Sequence, residues 1–505
     1  MTVKRAMIAV VAAAAVGCAV LKYMRSPSKG ERDGRSKTVE GFTYDVAGKV
    51  SAYTSGAMSF AGAFDLAGQA LTRDYRVGGA SAFTWDTSDR DGSGNILSAA
   101  DTMAGKDLSL TYDGQDRLAS AQGTILRGYQ NCSYLYDAAG NRSTESCYGH
   151  PVTYDYETTA QSAPTNRLGA ISWLADDLSS CGGPQTLMTR DYDVDVLGRA
   201  TNGYLRKFPI DLDAFTMTYG PSGRVASVTT PGGAYNYTYD HHNLRVAKDG
   251  PGVAVRFGYD QNGRLQVEQD NTGATKEYVY LGGEPLAMLV DEDVDPLTPS
   301  TTYLLGTDHL GTPMRAWDAA GSVAWAADYE AFGKAWEYLP GTTATPSIDV
   351  PLRFPGQYED QETGLHYNWW RYYDPNTGRY VTADPVGPQR GAQEQPVYTY
   401  ALGNSLQYKD QNGALVGVDD ALALSAALTL YFLKSVYDLC QSSARQWSCT
   451  ASCNLEGVGP QCGGRVSGSS SGSSEGDACR AAKRSATQSA PLGCYARHCQ
   501  CQCSK

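Results

Sequence analysis

An aromatic-Asp pair followed, three residues after the Asp, by Gly or Asn returns along this 505-residue chain and limits its fold more than any other feature. It reads YDVAGKV at 44–50, FDLAGQA at 64–70 and YDAAGNR at 136–142, with YDGQDRL at 112–118 a close variant. Further copies are YGPSGRV at 219–225, YDHHNLR at 239–245 and YDQNGRL at 259–265, and degenerate ones lie near Trp85 and Tyr192. Well-kept neighbours stand about twenty residues apart, the spacing of a repeat array. The physics of one unit is legible. An aromatic strand runs into Asp, whose carboxylate accepts turn amides, and Gly or Asn takes the left-handed position. A short apolar–polar alternation then returns as the next strand. Such a hairpin cannot bury its face alone, so neighbours must pair laterally. Few helical patterns interrupt this before residue 416.

Composition agrees. Tyr outnumbers Phe 34 to 10 and there are 55 Gly, a mix suited to half-wet pleated sheet with frequent tight turns. Charged residues at 19 % with ample aromatics exclude a disordered body. The net charge of −12 is uneven: residues 1–40 carry 8 basic and 3 acidic groups, and 416–505 carry 8 and 6. Residues 41–415 are left with 26 basic and 45 acidic side chains. That acidic body repels nucleic acid and anionic membranes at long range, so nucleic acid is not an expected partner of the repeats.

The repeats resemble the YD repeats of the RHS family, shared by bacterial Rhs proteins, the C subunits of insecticidal toxin complexes and animal teneurins. The likeness tightens at TDHLGTPMRAWDAAGSVAWAADYEAFGKA (307–335) and LRFPGQYEDQETGLHYNWWRYYDPNTGRYVTADPVG (352–387). With YTYALGNSLQYKDQNG (398–413) these look like the RHS repeat-associated core that ends the shell. The resemblance implies a mainly β fold: a long β-sheet strip of hairpins curling into a shell around a C-terminal polypeptide released by self-cleavage. Family shells use many more repeats than this chain offers, so an incomplete, open shell is expected. The chain divides into an export or anchor segment (1–25), a linker (26–40), YD repeats (41–306) and the core (307–415). An apolar helical segment (416–439) and a small α+β cysteine-rich module (440–505) follow.

In the family, self-cleavage uses an Arg and two Asp residues. Carried over by position they are Arg371 in RYYDP, Asp384 in DPVG and Asp410 in DQNG, with the cut at Ala414–Leu415. Two close carboxyls cannot both ionise easily, so one remains an acid while the other activates water, and an Arg holds the charge balance. The second motif departs from the family pattern: Gln411 stands where Pro is usual, and Ala414 where a larger apolar residue sits. Turn capping by Asp384 and Asp410 is the bland alternative. No cofactor or metal is expected. His309 in DHLGTP lacks a Cys or His at ligand spacing and reads as a turn-stabilising histidine. The acidic DEDVD at 291–295 reads as a solvated loop before Pro296.

At the N-terminus, Lys4 and Arg5 precede an apolar run at 6–17 that ends at Cys18, the outline of a bacterial export signal. AVGC also resembles a lipobox, which makes Cys18 a lipidation candidate. An uncleaved membrane anchor over 6–21 is the alternative, short for a spanning helix. Thirteen cysteines, nine of them in the tail, point to an oxidising, exported setting in the cell envelope or outside it.

The tail candidates for disulfides are Cys440, Cys449, Cys453, Cys462, Cys479, Cys494, Cys499, Cys501 and Cys503. On a strand Cys499, Cys501 and Cys503 share one face, so their partners lie elsewhere, as Cys449, Cys453, Cys479 and Cys494 do. Cys-x-Cys-x-Cys beside His498 could also hold zinc, but export favours disulfides. GGRVSGSSSGSSEG at 463–476 reads as a flexible linker, and DACRAAKRSATQSA as a helix stopped by Pro491, with Ser474 and Asp477 at its start. Arg480, Lys483 and Arg484 share a face of that helix.

Two functions fit. One is an exported RHS shell that displays or releases a small C-terminal effector, with a cognate immunity protein as partner. The other is a surface adhesion module whose Tyr-rich faces take cell-surface carbohydrate or protein.

Overall fold

The computed structural model describes residues 39–45, 48–124, 131–147, 150–158, 164–175, 186–197, 199–207, 211–292, 300–385, 397–414, 447–457, 463–472, 475–491 and 494–504. Cys18, Leu415, Cys440, Cys462, the export segment, the apolar run 421–433 and most of DEDVD lie outside them. The chain forms two compact units, divided between Asp419 and Asp420.

The first unit is built from antiparallel meanders. Thirteen strands from Val39 to Asp191 pair in strict chain order, and fourteen from Asp193 to Tyr338 continue the pattern after Tyr192. Neither sheet closes into a barrel. The turn chemistry is that of the repeat phrase. The carboxylates of Asp65, Asp113, Asp240 and Asp260 each accept the amides two and four residues on, within 3.0 Å. Gly68 (φ 81°) and Asn243 (φ 62°) take the left-handed position. Asp308 and Asp318 make the same turn, so the core begins as further repeats.

The repeat tyrosines do more than line a half-wet face. The residue that closes each turn pairs with the tyrosine before it, as Leu118 does with Tyr112 and Arg245 with Tyr239, next to a register shift. Its carbonyl accepts a hydrogen bond from the tyrosine of the following unit. Tyr136 donates to Leu118 and Tyr259 to Arg245; Tyr156 donates to Arg142, Tyr219 to Ala200 and Tyr239 to Val225, all within 2.6–2.8 Å. A bulge leaves a carbonyl outside the ladder, and a hydroxyl on the neighbouring strand satisfies it. Phe cannot, which favours Tyr at these positions.

The two sheets face each other. Arg73 makes a two-point ion pair with Glu284 at 2.6 and 2.7 Å, and Tyr75 stacks on Trp317 with ring centres 5.8 Å apart. Lys106 meets Asp328 at 2.6 Å and Arg315 meets Asp101 at 2.7 Å, all four buried. Early repeats therefore pack on the strands that open the core. Trp317, Trp325, Tyr278 and Phe83 are wholly buried in one hydrophobic cluster running from Met58 to Leu406.

A four-stranded sheet, Tyr358–Asp360, Leu365–Asn368, Arg371–Asp374 and Arg379–Tyr380, belongs to the same cluster. It joins both large sheets: Arg245 pairs with Asp360 at 2.5 Å on one side, and Arg379 donates to the Asn166 carbonyl at 2.7 Å on the other. His309 is a similar tie and more than a turn residue. Its Nδ1 accepts from Trp85 at 3.1 Å and its Nε2 donates to the Leu406 carbonyl at 2.6 Å, which fixes a neutral tautomer.

The second unit is a three-stranded antiparallel sheet, with Trp447–Gly457 between Gly464–Gly472 and Cys494–Ser504, covered by the helix Glu475–Gln488. The expected linker at 463–476 is corrected. Most of it is a strand, and its small residues are what the packing needs. A Cβ on Gly468 would collide with the helix backbone at Ala482, Ser485 and Ala486.

Disulfides join Cys449 to Cys503, Cys453 to Cys499 and Cys479 to Cys501, and Cys494 is also disulfide-bonded. Cys499, Cys501 and Cys503 share a face as expected, and each finds its partner on another element. His498, at φ 49°, is the extra residue where Asn454 pairs with Arg497 instead. This bulge shifts the alternation by one, so Cys494 and Ala496 join the same half-buried face as the three later cysteines.

Candidate functional site

Arg371 starts the third strand of the small sheet and is 2 % exposed. The structure brings it together with both predicted acids. Its Nη2 lies 3.0 Å from Asp384 Oδ2 and 2.9 Å from Asp410 Oδ2, so two carboxylates share one guanidinium nitrogen. Nη1 donates to the Val397 carbonyl at 3.1 Å, and Nε donates to the Gly413 carbonyl. The guanidinium carbon also lies over Tyr380, 3.6 Å from the ring centre.

Asp410 is wholly buried and ringed by donors. Oδ1 accepts the Ala414 amide at 3.0 Å; Oδ2 accepts Arg371 and, at 2.9 Å, the Tyr380 hydroxyl. The peptide between Gly413 and Ala414 is thereby held at both ends, its carbonyl by Arg371 and its amide by Asp410. Charge-assisted bonds of this kind hold a carboxylate in one orientation. Burial pushes the hydroxyls of Tyr380 and Tyr400 well above the ordinary phenol range, and the charge of Asp410 adds to it. Both remain neutral beside that carboxylate.

The loop carrying Asp410 is anchored despite Gln411 in place of Pro. The Trp370 amide donates to the Asn412 carbonyl at 3.0 Å, and Asn412 Oδ1 also accepts the Ala414 amide at 3.0 Å. A side chain on Gly356 would collide with the Gln411 carbonyl, and one on Gly413 (φ 71°) with the Asn368 carbonyl. Close backbone packing supplies the rigidity that a fixed φ would have given.

Three supporting residues were missed in the sequence. Asn368 Nδ2 lies 2.8 Å from both the Asp410 carbonyl and the Tyr380 hydroxyl, while Tyr380 and Asn412 contact Asp410 or its neighbour as above. In RYYDPNTGRYVTADPVG nothing in the spacing sets Tyr380 apart from the other tyrosines. Cys132–Cys147, a bridge across the hairpin at 132–147, was missed as well. Cys132 stands four residues before the YDAAGN turn and Cys147 six after it, and the register shift at Arg142 brings the two directly opposite each other. Among the described residues no group of His, Cys, Asp and Glu could hold a metal ion.

A tandem β-hairpin array ending in an inserted small sheet with a buried Arg and two Asp defines a class of repeat protein. Residues 303–338 match the family model described as RHS protein. Double-stranded DNA deaminase toxin A of Burkholderia cenocepacia is 28 % identical over 350 residues, covering 64 % of this chain and 22 % of that protein. Toxin protein Tse5 of Pseudomonas aeruginosa is 27 % identical over 404 residues, covering 69 % and 28 %. The Tc holotoxin pore of Photorhabdus luminescens gives a TM-score of 0.49 at 16 % identity, over 74 % of this chain and 19 % of that one. The chain is an RHS-repeat protein. It spans between a fifth and a third of the length of the two toxins it matches.

Proposed function

We propose that this chain is the repeat-and-core portion of an exported toxin-delivery protein, which frees the segment after its core by cutting its own Ala414–Leu415 bond. Toxins head the relatives it resembles, and a cognate immunity protein belongs to this reading. The observation that carries it is the pair of carboxylates on Arg371, one of them bonded to the amide of Ala414. One carboxylate takes a proton from water as the oxygen adds to the Ala414 carbonyl carbon. The other carboxyl gives its proton to the Leu415 nitrogen as the carbon–nitrogen bond breaks. Arg371 balances the charge of the pair and steadies the preceding carbonyl.

Intact-mass analysis of the purified chain tests this. A fragment ending at Ala414 with a complement starting at Leu415 is expected. Asp384→Asn and Asp410→Asn are expected to leave the chain whole. An uncut wild type, or an Asp384→Asn variant cut like wild type, would end the proposal.

A further inference from the structure

We propose that Arg224 is a positioning residue for the self-cleavage, clamping a strained turn that cradles the loop to be cut. This deepens the reading above and rests on it. Asn368 pairs with Arg371 across a two-residue hairpin turn, Trp369–Trp370. Trp369 sits at φ 44°, in the left-handed region where such a turn ordinarily places Gly or Asn. A bulky side chain keeps that conformation only where its surroundings impose it.

The surroundings are three successive repeat turns. Arg224, in the phrase at 219–225, donates through Nη1 to the Trp370 carbonyl and through Nη2 to the Trp369 carbonyl. The Trp369 indole donates to the His242 carbonyl at 3.3 Å, in the phrase at 239–245. Its ring fills the space over Gly263, in the phrase at 259–265, where a Cβ would collide with it. Arg224 is 6 % exposed, and its two bonds are the charge-assisted ones of the set.

The other side of the turn meets the loop that is cut. The Trp370 amide donates to the Asn412 carbonyl at 3.0 Å, Asn368 Nδ2 to the Asp410 carbonyl at 2.8 Å, and Arg371 Nε to the Gly413 carbonyl. Each of these donors belongs to the turn or to a residue flanking it. If the turn relaxes, all three move together and the loop loses its register against Arg371. The turn is thus the joint through which the repeats at 219–265 set the geometry of the cut. A chain in which they are out of place keeps its C-terminal segment attached.

Cell-free synthesis of the full chain, with a labelled pulse followed over time, reads the first-order cutting rate of molecules whose repeats already resist protease. Arg224→Ala is expected to cut on the order of tenfold slower than wild type in that folded fraction. Trp369→Gly, which adopts the left-handed conformation without a clamp, is expected to cut within about threefold of wild type. Combined with Arg224→Ala, it is expected to restore most of the lost rate. Arg73→Ala breaks the Arg73–Glu284 ion pair elsewhere in the repeats. It is expected to lower the folded fraction and leave the rate of the folded molecules unchanged. If Arg224→Ala yields no protease-resistant chain, Arg224→Lys, with one ammonium for two carbonyls, is read in its place and is expected to cut slower than wild type. A wild-type rate in the Arg224 variant, a double variant as slow as the Arg224 variant alone, or an equal slowing in Arg73→Ala overturns the positioning role. An uncut wild type overturns the self-cleavage reading itself, and this role with it.

Discussion

Trp317, Trp325, Tyr278 and Phe83 lie wholly buried in the repeat unit, whereas the fully buried residues described in the C-terminal unit are Ala451, Ala478, Ala482, Ala486 and the half-cystines Cys449 and Cys453. One unit is held by large aromatic side chains and buried ion pairs, the other by covalent links around methyl groups. A buried methylene contributes about 0.8 kcal/mol and a native disulfide in a small domain about 2–5 kcal/mol. The difference teaches where each unit can exist. The repeats carry their stability in any redox setting, and the module needs an oxidising one.

Reduction is the largest lever on this contrast. Treating the full chain with thiol is expected to abolish hydrogen-exchange protection across 447–504 and leave the clusters of the repeat unit protected. Cys132–Cys147 crosses a single hairpin, so its loss is local. A module that keeps its protection once every cysteine is shown to be reduced would erase the distinction. Asp360→Asn comes next. It strips the charge that Arg245 and Lys248 share in the interior, at 2.5 and 2.9 Å. A loss of about 3–5 kcal/mol in the unfolding of the repeat unit is expected, read from its denaturant midpoint.

Acid is expected to act in the opposite sense to reduction. Burial holds the proton affinities of His309 and His366 below the ordinary value of 6.5. The stability they contribute is full above that value and is lost as the pH falls below it towards their depressed folded values. The repeat unit's melting temperature should therefore drop across that window. Both histidines belong to the repeat unit, so the drop is expected in its melting and not in that of the disulfide-bonded module. His309→Gln with His366→Gln should flatten the drop; an unflattened profile would assign it to other groups. The smallest effect is expected from Tyr259→Phe, about 1 kcal/mol, for one unsatisfied carbonyl at Arg245.

Much of this was legible in the residues. Asp and Gly at fixed offsets specify their turn locally, so hairpins and their order follow from the chain itself. Arg371, Asp384 and Asp410 were found by resemblance, and their meeting at one nitrogen is a tertiary fact the spacing does not contain. What escaped was non-local. The tyrosine-to-carbonyl bonds depend on a bulge, and Arg73–Glu284 on the return of one sheet over the other. The Ser/Gly-rich strand beside the helix escaped for a different reason. Its composition signals flexibility unless the helix it must admit, over Gly468, is already known.

The tyrosine bonds have one more consequence. Five joints described above use the same fitting: a hydroxyl from one unit, a carbonyl from the unit before. Removing or duplicating a whole unit would reconnect identical parts, without asking either neighbour to change shape. Length is then a dimension along which such genes can drift by whole steps, while the small sheet and its arginine stay at the end of whatever array remains.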